Sequence, residues 1–292
     1  MKVFEGELLS NVSLAAYTTW RVGGIAEQLY KPKSLQDLSN FLKQLSKEHH
    51  PFFLGLGSNL LVRDGGLKET VILTQAGLTE LAMVSEDSFR AESGVTCAKV
   101  AKFCVKNNFA QAEFFAGIPG VIGGALAMNA GAFGGETWNY VVAIETIDRD
   151  GNVHLRYPSE YHVSYRTVSG PKEWFVAGHF KLPKGDGEQT QKNIKALLKL
   201  RNEKQPIGLP SCGSVFKNPE GDHAGRLIEA CGLKGYRIGC AEVSPKHANF
   251  IINTGDATAQ DIEALVVHIQ KTVKENTGID LHPEFKVVGE LP

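Results

Sequence analysis

Three groups of residues in this chain have the types and spacing to do chemistry. The first is the run Ser211-Cys212-Gly213-Ser214-Val215-Phe216-Lys217-Asn218-Pro219, in which a hydroxyl, Ser214, stands three residues before Lys217 and four before Asn218. The second is a single acid, Glu284, in Leu281-His282-Pro283-Glu284-Phe285-Lys286. The third is a pair of glycine-rich stretches, Gly55-Leu56-Gly57-Ser58-Asn59 and Gly117-Ile118-Pro119-Gly120-Val121-Ile122-Gly123-Gly124, the second leading on to Asn129 and Gly131. A hydroxyl with a lysine and a carboxylate suits proton transfer. Glycine-rich backbone can turn successive N–H groups toward one point and cradle phosphate oxygens. The residues thus suggest a phosphate-bearing cofactor at one place and a proton-handling site at another.

Each group also has a plainer reading. The first glycine stretch lacks the third glycine of a dinucleotide fingerprint, since position 60 is Leu60, and it runs on apolar and strand-like. It could be a tight hairpin turn. The second stretch leaves room for a flat, extended ligand, or for close backbone packing inside a domain. Together they favour a dinucleotide whose pyrophosphate lies between them, and without a nicotinamide fingerprint a flavin is the natural candidate. Ser214 could equally be a strand-end serine bonded to its own backbone, and Glu284 a strand carboxylate paired with Lys286. Cys212 rivals Ser214 by proximity, although a buried cysteine usually acts as a small apolar residue.

The elements that must position these groups are legible in part. Ser34 with Asp37 opens a helix carrying Leu35, Leu38, Phe41, Leu42 and Leu45, with His49-His50-Pro51 as its stop. Thr96 opens a second, through Val100, Phe103 and Cys104 to about Asn107-Asn108. Thr258 with Asp261 opens the clearest, with Ile262, Leu265, Val266, Ile269 and Val273 on one face and Gly278 just beyond. Helices are also predicted at about Thr190–Asn202 and just after Asp222. Strands are predicted over Pro51–Leu56, Glu69–Thr74, Val141–Ile147, Trp174–Leu182, Ala248–Asn253 and through Ser214. Arg149-Asp150-Gly151-Asn152 reads as a hairpin turn. Leu182-Pro183-Lys184-Gly185-Asp186-Gly187-Glu188 has the composition of a linker.

Composition narrows the classes. The chain has 292 residues, 42% of them hydrophobic, and a net charge of −1. That is enough for two domains, and no global field draws it to nucleic acid or an anionic membrane. The N-terminus lacks the apolar core of a secretion signal, and no apolar run approaches the roughly 20 residues of a membrane span. Five cysteines without a C-x-x-C pair, and nine histidines without a ligand-like cluster, argue against a disulfide framework and a metal site. The expectation is a reduced, cytoplasmic protein without metal and without an obligate protein partner.

The ordered motifs resemble the UDP-N-acetylenolpyruvoylglucosamine reductase (MurB) family. They are Thr18-Thr19-Trp20-Arg21-Val22-Gly23-Gly24, Leu56-Gly57-Ser58-Asn59-Leu60-Leu61, Ala116-Gly117-Ile118-Pro119-Gly120, Ser164-Tyr165-Arg166, Gly213 to Pro219, Val243-Ser244-Pro245-Lys246-His247-Ala248-Asn249-Phe250, and Pro283-Glu284. The resemblance implies a mixed α/β (α+β) fold. After an N-terminal segment, 1–18, comes an FAD-binding module of the vanillyl-alcohol-oxidase (PCMH) type in two lobes over 19–183, then a C-terminal α/β substrate domain over 184–292. It implies FAD and NADPH as cofactors and enolpyruvyl-UDP-N-acetylglucosamine as substrate, reduced to UDP-N-acetylmuramate for peptidoglycan. It assigns Arg166 to the substrate carboxylate, Ser214 to proton donation, Glu284 as the third active residue, and Lys217 and Asn218 to the phosphates. Gly55, Gly57, Ser58, Asn59, Gly117, Ile118, Pro119, Gly120, Gly123, Gly124, Asn129 and Gly131 would line the flavin. By itself Arg166 could be a surface arginine beside Tyr165, and His247 a satisfied core histidine.

The longer class of the family closes over its substrate with a tyrosine on an inserted loop. No tyrosine stands between Arg166 and Ser214 here, so the chain resembles the shorter class. Two other readings stay open. An oxidase of the same fold would often tether FAD through a histidine in the first glycine stretch, and 55–59 contains none. A non-catalytic sugar-nucleotide or flavin binder would have no use for a proton donor.

Overall fold

The computed structural model describes residues 4–292. The chain packs as two compact units that alternate along the sequence. The first comprises the chain up to Ser10, Gln28–Leu56 and Glu69–Lys199; the second comprises Asn11–Glu27, Gly57–Lys68 and Leu200–Pro292. Packing therefore draws the line elsewhere than a contiguous boundary at 183/184 does. The physical reason lies in one apolar cluster, where Trp20, Val22 and Leu61 pack with Phe216, Ile251, Leu265 and Phe285. Trp20 is fully buried, its indole N–H donates to the Ile251 carbonyl at 2.8 Å, and its own carbonyl accepts from Asn253 Nδ2 at 3.0 Å. Removing that ring would cost roughly 3–5 kcal/mol.

The first unit contains a five-stranded antiparallel sheet in the order 153–156, 141–147, 174–181, 88–92, 81–85. The predicted hairpin at Arg149–Asn152 joins two of its strands, with Ile147 facing Val153 and the Asp148 N–H donating to the Asn152 carbonyl. Phe89, Phe109, Phe115 and Phe180 fill the space between this sheet and its helices. Across three strands the Glu145 carboxylate accepts from Arg90 Nε at 2.7 Å and lies 2.8 Å from His179 Nε2, which holds its carboxyl down at about 2. The helix Leu35–Gln44 starts as predicted, with Ser34 Oγ accepting from the Asp37 N–H, but ends before His49-His50-Pro51. Thr96 caps Cys97–Lys106 by accepting from the Lys99 N–H.

The second unit has a three-stranded antiparallel sheet, in the order 237–238, 241–243, 251–253, and a parallel pair formed by 286–288 and 60–62. Its long helix Ala259–Thr277 opens on the expected capping box of Thr258 and Asp261 and closes on Gly278 at φ 76°. The Asp64 carboxylate adds two acceptors for its first free N–H groups, Ala259 and Gln260, each at 3.0 Å. Two predicted strands differ from what forms. Only Ile251–Asn253 of 248–253 is strand, because the chain turns at His247–Phe250. The Ser214 stretch makes only one bridge, Phe216 to Pro283, because Gly213 at φ 84° breaks the extended run before it.

Candidate functional site

The second glycine stretch belongs wholly to the first unit, whereas the first divides between Leu56 and Gly57. Within the first unit the two meet: a Cβ at Gly55 would lie 2.3 Å from Val121 Cγ2. Most of these glycines are required by protein packing and not by open space. A side chain at Gly117 would strike Ala132 and the Phe133 ring, one at Gly123 would strike Ser93, and one at Gly131 the Gly135 carbonyl. The Gly120 carbonyl accepts from the Cys97 N–H at 3.0 Å, and Ile118 is buried in the aromatic core while Pro119 is exposed. Gly124 is different. It is exposed, and a Cβ there would meet nothing within 4 Å. A shelf of close-packed backbone with a bare, open glycine at its rim fits a flat cofactor that needs close approach to main chain.

Asn129 has a structural role of its own. It takes the left-handed conformation at φ 44° and ends the helix Ile122–Met128. Its Oδ1 accepts from the Trp138 N–H at 3.1 Å, and its Nδ2 donates to Glu136 at 2.9 Å. Gly57 is likewise fixed locally, since at φ 59° a Cβ would press on the Tyr17 carbonyl at 2.4 Å and Thr18 Cα at 2.8 Å. Ser58 follows it half-buried. Asn59 Nδ2 donates to the Glu284 carbonyl at 3.2 Å and the Asn59 carbonyl accepts from the Lys286 N–H at 3.0 Å, so this residue holds the acid's backbone.

The second unit brings Ser214 and Glu284 into one small framework. The Glu284 N–H donates to the Val215 carbonyl at 2.8 Å, and the Lys217 N–H donates to the His282 carbonyl at 2.9 Å. Ser214 and Lys217 are both half-buried, with side chains neither sealed in the core nor fully in water. Asn218 Oδ1 accepts from the Ala224 N–H at 3.1 Å, a helix-start role that the phosphate reading did not foresee. Cys212 is buried, and its thiol is pushed well above the usual range by that burial and by the charge of Glu284. It is therefore no thiolate nucleophile. His247 packs edge-on against Phe250, burial lowers its pKa, and its Nδ1 accepts from the Asn249 N–H. It is a half-buried histidine whose imidazole is held against Phe250 and the turn backbone.

Arg166 stands in the first unit, at the tip of the hairpin 162–164/167–169, where Ser164 faces Thr167. Its backbone is left-handed at φ 55° and its guanidinium carbon lies 5.2 Å from the Tyr165 ring centre. A non-glycine residue there carries strain of about 1–2 kcal/mol. The conformation belongs to the two-residue turn between the paired strands, and other non-glycine residues, Arg21 and Phe133 among them, share it.

Asn249 is the residue that sequence reasoning passed over. It lay inside a quoted motif without a role, yet it is buried and its amide clamps Phe216. A buried asparagine between apolar Ala248 and Phe250 was the available signal. Among the described residues no group of His, Cys, Asp and Glu could hold a metal ion, and no helix is long and apolar enough to cross a membrane.

Known families match two parts of the chain. Residues 26–155 match the FAD binding domain family, and residues 205–288 match the C-terminal domain of UDP-N-acetylenolpyruvoylglucosamine reductase. The chain is 56% identical over 290 residues to the UDP-N-acetylenolpyruvoylglucosamine reductase of Alkalilimnicola ehrlichii, covering 99% of this chain and 97% of that one. It is 52% identical to the enzyme of that name from Methylococcus capsulatus, over 98% of this chain and 94% of its relative. The crystal structure of the Thermus caldophilus enzyme, at 33% identity, superposes with a TM-score of 0.83 and covers 99% of both chains. The expected fold, an FAD-binding module with an α/β domain at the C-terminus, is the fold observed. With likeness over its whole length, the chain belongs to the UDP-N-acetylenolpyruvoylglucosamine reductase family and is an FAD-containing oxidoreductase of peptidoglycan synthesis.

Proposed function

We propose that this chain reduces enolpyruvyl-UDP-N-acetylglucosamine to UDP-N-acetylmuramate in the cytoplasm, with NADPH as the source of electrons. The observation that carries this reading is the framework that ties the Ser214 segment to Glu284, the Glu284 N–H to the Val215 carbonyl at 2.8 Å. Binding a sugar nucleotide would not need a serine and an acid carried on two backbone segments bonded to each other. FAD bound at the glycine stretches would supply the hydride chemistry that links NADPH to the methylene carbon of the enol ether.

The chain's own residues do the rest. Hydride arrival leaves negative charge on the neighbouring carbon, spread into the carboxylate as an enolate, and that charge needs cationic or hydrogen-bonding partners. Arg166, permanently charged and able to make two parallel bonds, grips the carboxylate oxygens. Ser214 Oγ–H gives its proton to that carbon, which completes addition of two hydrogens across the double bond. Glu284 steadies the cationic groups around the carboxylate and helps return a proton to the serine. Lys217 meets phosphate charge on the nucleotide. Gly124 and the stretch around it, with Ser58, give the cofactor its close backbone contact.

The test is turnover by purified protein. NADPH oxidation should depend on the enolpyruvyl sugar nucleotide, and mass spectrometry should find a product two hydrogens heavier. Flavin-loaded protein that leaves this compound unchanged with NADPH present would overturn the proposal.

A further inference from the structure

Ser214 follows a glycine at φ 84° around which a side chain would meet nothing within 4 Å, so the packing around Gly213 does little to fix the serine from that side. What fixes it lies after it in sequence. The Val215 N–H, in the peptide that leaves Ser214, donates to the Asn249 carbonyl at 2.9 Å. The Phe216 N–H donates to Asn249 Oδ1 at 2.9 Å, and Asn249 Nδ2 donates to the Phe216 carbonyl at 2.8 Å. Opposite, the Val215 carbonyl and Lys217 N–H are bonded to Glu284 and His282. The Ser214 segment is thus the middle line of a short ladder whose one edge is a regular backbone and whose other edge is a single residue, Asn249, through its backbone carbonyl and its side-chain amide.

An amide is the only uncharged side-chain group that presents a donor and an acceptor in the fork a neighbouring strand would offer. It is needed because the chain turns away here, with the Phe250 N–H donating to the His247 carbonyl and Ser244 Oγ accepting from the Lys246 and His247 N–H groups. Asn249 is only 4% exposed, so water cannot stand in for it. Proton transfer to carbon is sensitive to placement at the level of an ångström. We propose that Asn249 is the positioning residue for Ser214, holding its hydroxyl in register with the substrate carbon while touching no substrate itself.

This inference rests on Ser214 being the acid, and the experiment separates the two. Asn249→Asp keeps the acceptor for the Phe216 N–H but sets an oxygen against the Phe216 carbonyl. In FAD-loaded protein, stopped-flow absorbance follows flavin reduction by NADPH and reoxidation by the enolpyruvyl substrate separately, in the wild type, Asn249→Asp, Ser214→Ala and the double variant. Asn249→Asp should slow reoxidation about 10–100-fold and leave reduction within about 3-fold. Placed on Ser214→Ala, it should cost less than about 3-fold more, because its effect runs through the missing hydroxyl. The same loss in both backgrounds, or equal slowing of both steps, would overturn the proposal. Ser214→Ala that reoxidises normally would sink the acid assignment and this inference with it. If the aspartate does not fold, Asn249→Ser, which makes only part of the clamp, takes its place with the same two outcomes.

Discussion

At the scale of single residues, Arg166 joins chemistry to conformation. It sits at φ 55°, where glycine is at ease and other residues are strained. Arg166→Ala removes the guanidinium but keeps the strain; Arg166→Gly removes both. The two variants should lose substrate reduction alike. In thermal unfolding the glycine variant should be at least as stable as the alanine one, by up to about 1 kcal/mol after glycine's added unfolded-chain entropy is subtracted. An alanine variant clearly more stable than the glycine variant would mean that this turn carries no strain. Of the neighbouring reactive-looking residues, Cys212 is buried and its thiol pushed well up, desolvation lowers the pKa of His247, and Ser214 is half-buried.

At the scale of elements, the glycine stretches separate packing from binding. Gly57→Val would press a branched side chain onto the Tyr17–Thr18 backbone in a left-handed conformation. It should lower thermal stability by about 1–3 kcal/mol or more, whether or not flavin is present. Gly124→Ala meets nothing and lies within the helix Ile122–Met128, so the flavin-free protein should be as stable or more so, while FAD dissociation, followed by flavin fluorescence, should become easier. Unchanged FAD affinity in Gly124→Ala would remove that residue from the cofactor contact. The sequence made the helix starts at Ser34, Thr96 and Thr258 legible because a cap is a local, four-residue signal. The strand predicted through Ser214 forms only a bridge, because Gly213 sits at φ 84° and one edge is met by an asparagine thirty-five residues beyond Ser214. Glycine counts, likewise, could not tell Gly123, which makes room for Ser93, from Gly124, which makes room for nothing in the protein. The roles of Asn59 and Asn249 depend on contacts of 225 and 33 residues' separation, beyond any local pattern.

At the scale of the whole molecule, the chain is interleaved so that the segments 11–27 and 57–68 pack with the C-terminal unit while the chain up to Ser10, 28–56 and 69–199 form the other. Trp20 explains why the N-terminal motif is needed even though it carries no reacting group: it is a buried anchor of the unit that contains Ser214 and Glu284. The central claim is that taking up hydride and protonating the substrate are separable, with Ser214 serving only the second. The most direct measurement is stopped-flow flavin absorbance on Ser214→Ala, with each half-reaction followed alone. Reduction by NADPH should stay within a few-fold of normal. Reoxidation by the enolpyruvyl sugar nucleotide should slow about 10²–10⁴-fold, the usual loss for a positioned proton donor. Equal slowing of the two half-reactions would contradict the account and make Ser214 a part of the flavin site.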